Sequence, residues 1–519
     1  MSRKAERLDQ VVRLSGGHDA PPDHEAVVFH GGRAGPGDAG RAAAERLTYA
    51  ELEEAVRRTA GDLLAGGLQP GQRVALFLRN SVDFLRYYFA VPAAGGVLVP
   101  INTWLTPPEL RFILADSAPS VLVADAPSAE ICDEASRGLD GIGRKIAVCG
   151  RPEREGWESG DERPGPSDAP PASRGPEELA LLHYTSGTTG RPKGAMLSHA
   201  NLLDNGRAVL ERVPLGRDDR ILLHLPLFHN LPMAVFMIPG LMAGATLILQ
   251  DGFEAARVME ALESEAVSVL PGVPTTLRRV LDALPEGWNP PPSLRLLASG
   301  GAGMDPDLIR RLVAAFPGAG FVHMYGASET SQIAHLPAEE ALAKAGSVGR
   351  PIAGVEIRLV KEDGEEARRG EVGEVQVRGP GVMRGYWNLP RETREALTGG
   401  LFRTGDLGRV DEDGCVYLVD RLKDVIIRGG ENVYPREVEE ALTAHPAVAE
   451  ACVVGRPDPE LGEVPRALIV RSGDSKVTAD ELRAHCSGRL APFKVPSEFV
   501  FVDSLPKTVT GKLRRSDLR

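Results

Sequence analysis

The sequence predicts an α/β fold in two parts: a large N-terminal domain of largely parallel, helix-covered sheets, and a small α+β domain at the C-terminus. Three observations predict it. Short β-branched or apolar runs alternate with amphipathic helical stretches through the first half of the chain, and strand–helix–strand repetition implies crossover connections that cover both faces of a parallel sheet. The length, 519 residues, is too great for one simple core. After about residue 420 the pattern changes to two helices set among strands, so the domains are expected to span 1–419 and 420–519.

The elements follow in chain order. Thr48 and Glu51 have the spacing of a capping box, ahead of a helix that would bury Leu52, Val56 and Leu63. Val74-Ala-Leu-Phe-Leu78 reads as a strand, Asn80 as the cap of a helix beginning near Ser81, and Val97-Leu-Val99 as the next strand. Apolar runs at 120–124, 146–148, 179–182 and 268–270 continue the alternation. Residues 151–178 hold six prolines among Gly, Ser, Glu and Arg and read as a solvated, flexible loop. Residues 231–250 carry no charge, but Pro232, Pro239, Gly240 and Gly244 interrupt them, so a buried helix and a core strand are expected rather than a membrane span. Near the C-terminus, helices at 435–442 and 479–490 alternate with strands at 451–454, 467–470 and 499–502.

Composition excludes several classes of function. A net charge of −12 opposes general binding to a nucleic-acid backbone, although a nucleotide needs only a local pocket of donors. Cys132, Cys149, Cys415, Cys452 and Cys486 show neither zinc-site nor disulfide-framework spacing and suit a reducing cytoplasm. The opening MSRKAERLDQ is polar where a signal peptide turns apolar.

Gly35, Gly37 and Gly40 spell GxGxxG, but a proline stands in the turn and neither a dinucleotide fold nor a Walker loop follows, as Arg41-Ala42 replaces Lys-Ser/Thr. The stronger signal is Tyr184-Thr-Ser-Gly-Thr-Thr-Gly-Arg-Pro-Lys-Gly194. Small residues let backbone N–H groups approach phosphate oxygens, hydroxyls add donors, and Lys193 adds charge. The run lies between a strand and the helix expected from Ser198, a usual setting for an anion.

YTSGTTGRPKGAMLSHAN closely resembles the signature of the adenylate-forming superfamily, which includes acyl-CoA synthetases, peptide-synthetase adenylation domains and firefly luciferases. Five further motifs resemble that family in order along nearly the whole chain. They are Leu225-Pro-Leu-Phe-His229, Ala298-Ser-Gly-Gly-Ala302, Tyr325-Gly-Ala-Ser-Glu-Thr330, Phe402-Arg-Thr-Gly-Asp406 running on to Asp420-Arg421-Leu-Lys423, and Leu505-Pro-Lys-Thr-Val-Thr-Gly-Lys512. Two positions depart from the usual pattern, Gly303 for proline and Ser328 for threonine.

The resemblance implies roles. Thr185, Ser186, Gly187, Thr188, Thr189, Gly190 and Lys193 would hold the β and γ phosphates of ATP, while Gly301, Ala302 and Tyr325 would flank adenine. Glu329 would hold Mg²⁺, Thr330 would donate to the α-phosphate, and Asp406 and Arg421 would contact the ribose. His229 and Gly300 would border the acyl group, Gly429 and Gly430 the pantetheine of coenzyme A, and Lys423 the hinge of a mobile C-terminal domain. Lys512 would be the catalytic lysine, leaving seven residues after it and no fused carrier domain.

The function implied is an acyl-CoA synthetase using ATP, Mg²⁺ and coenzyme A, with the C-terminal domain rotating between half-reactions. A luciferase-like oxygenase and a nucleotide-binding regulator without catalysis are the outlying readings, and the second would not need Lys512. An acyl-AMP ligase loading a separate carrier protein shares every adenylation motif. The apolar 231–249 stretch favours a medium- or long-chain fatty acid, with an aromatic or alicyclic carboxylate as runner-up. The oligomeric state is unread, and a homodimer is compatible.

If Lys512 serves adenylation alone, Lys512→Ala will slow acyl-AMP formation by about 10²-fold or more, while thioester formation from supplied acyl-AMP survives. Separate assays of the two half-reactions check this, and an equal fall in both contradicts it.

Overall fold

The computed structural model describes residues 5–13, 20–31, 44–150, 154–160, 175–185, 191–507 and 513–518. It divides into two compact units, one of 1–356 and 377–402 and one of 357–376 and 403–519.

The N-terminal unit is built from two sheets. Among the described residues one has seven strands, with Arg73–Phe77, Val97–Pro100, Val121–Asp125 and Arg144–Val148 parallel at its centre. The other has nine, with Glu25–His30, Arg220–Leu223, Thr246–Gln250, Val269–Gly272 and Leu296–Gly300 parallel. Period-2 alternation assigns each strand's side chains to two different cores. Val74 and Leu76 join Ile221, Leu223, Leu247 and Leu249 in the core between the sheets, with Leu52, Leu63, Phe84 and Tyr88 from the helices Tyr49–Ala65 and Val82–Ala93. Ala75 and Phe77 face the opposite way, onto Leu110 and Leu114 of the helix Pro107–Ser117. Leu222 and Ile248 likewise turn to Leu262, Leu308 and Leu312. Strands buried on both faces need continuous apolar runs, and that is what made them readable.

Local chemistry supports most expected elements. Thr48 accepts from Glu51 N while Glu51 Oε2 accepts from Thr48 N at 2.8 Å, the capping box expected. Residues 231–250 form a buried π-helix at Leu231–Met237, an α-helix at Ile238–Met242 and the strand Thr246–Gln250. No helix among the described residues is long and apolar enough to cross a membrane.

Two readings need correction. Ser81, not Asn80, caps the helix Val82–Ala93, accepting from Phe84 N at 3.1 Å. Asn80 is buried and joins the two sheets instead. Its Nδ2 donates to the carbonyls of Leu225 at 2.9 Å and Gln250 at 3.0 Å, and its Oδ1 accepts from Leu227 N at 2.8 Å. A side-chain amide offers both donors and an acceptor, and a cap would use only the acceptor. Within the stretch read as a loop, Trp157–Ser159 forms an edge strand parallel to Arg144–Val148. Its Trp157 Nε1 donates to Asp133 at 3.1 Å, an anchor that prolines elsewhere in the stretch concealed. Gly35, Gly37 and Gly40 lie outside the described residues.

In the C-terminal unit, strands Leu401–Val410 and Val416–Arg421 pair antiparallel. A second sheet runs Glu431–Val433, Ile426–Arg428, Gly462–Arg471, Val448–Asp458, with Glu498–Phe501 parallel beside Gly462–Arg471. The helices Pro435–Thr443 and Ala479–Ser487 cover it through Val438, Leu442, Leu482 and Cys486. Its C-terminal segment is fixed by Arg515, which donates to both Glu439 oxygens at 3.0 and 2.7 Å.

Replacing Asn80 by alanine strands buried carbonyls and an amide between the sheets. Asn80→Ala is expected to destabilise the N-terminal unit by about 3 kcal/mol, read as an earlier chemical-denaturation transition; an unchanged midpoint would show that the amide is not the staple.

Candidate active site

The motif expected to bind phosphate is flanked by two paired strands. Strands Leu179–Thr185 and Lys193–Ser198 pair antiparallel, with Thr185 opposite Lys193. Ser186, Gly187, Thr188, Thr189 and Gly190 lie outside the described residues. The expected strand–loop–helix order is therefore corrected to strand–loop–strand. The helix His199–Leu210 begins only after Ser198, which caps it with Asn201. The capping signal at Ser198 was real, but Ser198 is also the last residue of the six-residue strand Lys193–Ser198.

The base of the hairpin is fixed on both sides. Tyr184 donates its hydroxyl to Asp116 Oδ2 at 2.6 Å. The segment Gly379-Pro-Gly-Val-Met-Arg-Gly-Tyr-Trp387 runs along the second strand, with Met196 N donating to Gly385 O at 2.9 Å and Trp387 N to Gly194 O at 2.8 Å. Trp387 Nε1 donates to Asp116 O at 3.1 Å, and Arg73 lies 5.4 Å over the indole. Lys193 Nζ stands 5.1 Å from the ring centroid of Tyr386.

The same segment reaches the second motif. Tyr325 is buried at the end of Gly320–Ala327. The turn after it closes on Thr330, whose N donates to Ala327 O at 3.2 Å and whose Oγ1 accepts from Ala327 N at 3.1 Å. Glu329 projects half-buried from this turn, its carbonyl accepting from Met383 N at 2.8 Å and its Oε1 from the Tyr386 hydroxyl at 3.0 Å. Among the described residues no cluster of three His, Cys, Asp or Glu could hold a metal unaided. One carboxylate with an oxygen already oriented suits Mg²⁺, a hard cation that takes its other ligands from phosphate and water.

Of the residues expected at the acyl side, Gly300 approaches Leu231 closely. A Cβ on Gly300 would lie 2.9 Å from Leu231 Cδ1 and 3.2 Å from the Met324 carbonyl, so only glycine permits that approach. Gly301 has φ +77°, and Ala302 is exposed beside it. His229 packs against Phe228 and Trp104, with ring centroids 4.6 and 6.1 Å away, and Trp104 meets Phe228 edge-on at 5.6 Å while remaining 42 % exposed. His183 Nε2 donates to Phe228 O at 2.9 Å. That leaves two buried nitrogens, His183 Nδ1 and His229 Nε2, without a hydrogen-bond partner among the described residues.

In the C-terminal unit Asp406 and Arg421 stand opposite each other across the sheet, joined by an ion pair of 2.6 Å. Lys423 follows exposed in a short 3₁₀ turn, Leu422–Asp424. Gly429 and Gly430, with φ +58° and +89°, form the two-residue turn between Ile426–Arg428 and Glu431–Val433. Two successive positive φ angles are the requirement of such a hairpin turn. Lys512 lies outside the described residues.

Sequence reasoning brought forward most of these residues but passed over Asp116, His183, Tyr386 and Trp387. The available signal was the run 379–387, where three glycines and two large aromatics crowd nine residues. Asp116 gave no signal, since its partners lie 68 and 271 residues away.

Comparison with known proteins agrees with this geometry. Residues 18–387 match the family model described as AMP-binding enzyme, and 437–512 match the AMP-binding enzyme C-terminal domain. The chain is 41% identical over 499 residues to feruloyl-CoA synthase from Amycolatopsis sp, covering 96% of both chains. It is 35% identical over 480 residues to long-chain-fatty-acid–CoA ligase FadD13 from Mycobacterium tuberculosis, covering 91% of this chain and 93% of that one. Among solved structures, ATP-bound MatB from Rhodopseudomonas palustris superposes with a TM-score of 0.87 at 32% identity, covering 99% of this chain and 98% of that one.

Burial holds four histidines of the N-terminal unit neutral. His183, His224, His229 and His335 are each lowered from 6.5 to about 4 by desolvation, with the Arg212 charge adding to the effect at His335. The unfolded chain takes up these protons below about pH 6.5 and the folded unit only near 4, so the stability is complete above 6.5 and is lost as pH falls through that window. Denaturation midpoints of the N-terminal unit should therefore drop between pH 6.5 and 5; a flat profile would mean that these rings charge in the folded state.

Proposed function

The chain belongs to the AMP-binding enzyme family and is an AMP-forming carboxylate–CoA ligase that uses ATP, Mg²⁺ and coenzyme A, and from that footing we propose that its acid is an aromatic carboxylate of the hydroxycinnamate class. One observation carries this reading: a wall of Trp104, Phe228 and His229 with two buried, unpartnered imidazole nitrogens. An aromatic acid stacks on such rings, and a ring hydroxyl supplies the missing hydrogen bond. A plain alkyl chain does neither. The 41% identity to a feruloyl-CoA synthase supports the same choice. The medium- or long-chain fatty acid is the second reading, favoured by the buried apolar helix Leu231–Met237 and by the fatty-acid ligase relative.

The chemistry assigns a role to each residue. A carboxylate is a poor acyl donor because its leaving group would be oxide. Its oxygen attacks the α-phosphorus of ATP, the bond to the β-phosphate oxygen breaks, and pyrophosphate leaves with that electron pair. Anionic nucleophile and polyphosphate must meet, so preorganised cations and donors lower the barrier. Lys193 and the hairpin tip hold the β and γ phosphates. Glu329 would hold the magnesium ion, which when bound neutralises phosphate charge. Thr330 closes the turn that aims Glu329, and Tyr325 with Gly301 and Ala302 forms the adenine side. Asp406 and Arg421 take the ribose, and Lys512 bridges the carboxylate and the α-phosphate. In the second step the CoA thiol, having lost its proton, attacks the acyl carbonyl and AMP departs. The face bearing Gly429 and Gly430 would admit pantetheine after rotation at Lys423, with 420–519 as the moving domain. The five free cysteines support a reducing compartment, which we read as the cytoplasm.

Incubation with ATP, Mg²⁺ and a panel of acids, with and without CoA, tests the assignment by mass spectrometry. Hydroxycinnamates should form CoA thioesters with kcat/KM above that of unsubstituted cinnamate by on the order of 10²-fold. Faster turnover of fatty acids would move the assignment to the second reading, and acyl-AMP accumulating with CoA ignored would point to a carrier protein as acceptor.

A further inference from the structure

Lys193 and Glu329 carry opposite charges and approach the same side chain from two directions. Lys193 Nζ lies over the ring of Tyr386, 5.1 Å from its centroid, and Glu329 Oε1 accepts from the Tyr386 hydroxyl at 3.0 Å. No ion pair joins the ammonium to the carboxylate. In a pocket closed to water such a pair would be strong, and a metal–nucleotide would have to break it before using either group.

We propose that Tyr386 is a positioning residue that keeps Lys193 and Glu329 apart by giving each its own partner, the ring face for the ammonium and the hydroxyl for the carboxylate. The inference rests on the assignment of Lys193 to phosphate and of Glu329 to Mg²⁺. It goes beyond that assignment by naming what holds the two groups ready before ATP arrives.

The side chain is well placed for this. Tyr386 is buried, and its backbone is pinned from several directions: a β-bridge to Ala195, Tyr386 N donating to Thr393 Oγ1 at 2.9 Å, and Tyr386 O accepting from Leu389 N at 3.2 Å. Burial, with the neighbouring Glu329 charge, raises the phenol above its ordinary value of 10, so it remains an O–H donor across the working range. A donated hydrogen bond fixes Oε1 and thereby the direction of Oε2. A cation over a ring face keeps its charge, whereas a cation paired with a carboxylate loses most of it. Preorganisation of this kind lowers the cost of binding without adding a contact to the ligand.

The experiment titrates Mg²⁺ into enzyme and ATP, without acid substrate, and reads nucleotide binding by calorimetry. In Tyr386→Phe the Mg²⁺ concentration for half-maximal tightening should rise on the order of tenfold, the weight of one hydrogen bond to a charged group. Metal-free ATP binding should hold, because the ring still receives Lys193. Tyr386→Leu should weaken metal-free ATP binding as well, since Lys193 is then released to Glu329. Thioester formation from supplied acyl-AMP should be unchanged in Tyr386→Phe. A wild-type Mg²⁺ titration in Tyr386→Phe, alongside a shifted one in Glu329→Gln, would overturn the role of Tyr386 and leave that of Glu329 standing. A wild-type titration in Glu329→Gln would overturn the assignment beneath it. Equal losses in metal-free ATP binding and thioester formation in Tyr386→Phe would mean that the residue only supports the fold, and would also overturn the proposal.

Discussion

The two strands that flank the Ser/Thr/Gly-rich run fix where it leaves and re-enters the fold. Here the hairpin Leu179–Thr185 and Lys193–Ser198 is clamped at its base. Asp116 takes the Tyr184 hydroxyl on its carboxylate and the Trp387 indole N–H on its carbonyl, while Gly194 and Met196 pair with the 383–387 segment. That segment continues to the Glu329 turn through Met383 and Tyr386. Lys193 and Glu329, the proposed phosphate and metal residues, therefore ride on one hydrogen-bonded piece, and neither is placed by its own local sequence alone.

Charge follows from the same arrangement. A chain with a net charge of −12 must bind a polyanion through local fields. Lys193 lies against an aromatic face, which leaves its charge available. Arg421, in the C-terminal unit, is held by Asp406 in a cross-strand pair. Dividing the motifs between two compact units suits a reaction in two steps, because the groups needed for adenylation need not stay in place for thioester formation.

Much of this was legible in the sequence, for identifiable reasons. Strands such as Arg73–Phe77 and Thr246–Gln250 are buried on both faces, so their central runs, 74–77 and 247–249, are continuously apolar. The six motifs were legible because close approach, as at Gly300, and paired positive φ angles, as at Gly429 and Gly430, leave few choices of residue. What escaped depends on partners distant in the chain. Asn80 has the letters of a cap and the work of a staple, and only the carbonyls of Leu225 and Gln250 distinguish the two. The strand Lys193–Ser198 was hidden by a true helix cap at its last residue. Tyr386 is an ordinary aromatic until folding brings it between two charges 193 and 57 positions away.

The central claim is that the acid's own oxygen becomes bonded to the α-phosphorus of ATP. Carboxylate labelled with ¹⁸O tests it directly, with the label followed by mass spectrometry after turnover with ATP, Mg²⁺ and CoA. The account predicts that AMP carries one labelled oxygen for each thioester formed, because AMP leaves with the oxygen that bridged it to the acyl group. Unlabelled AMP, or label recovered in inorganic phosphate, would contradict it.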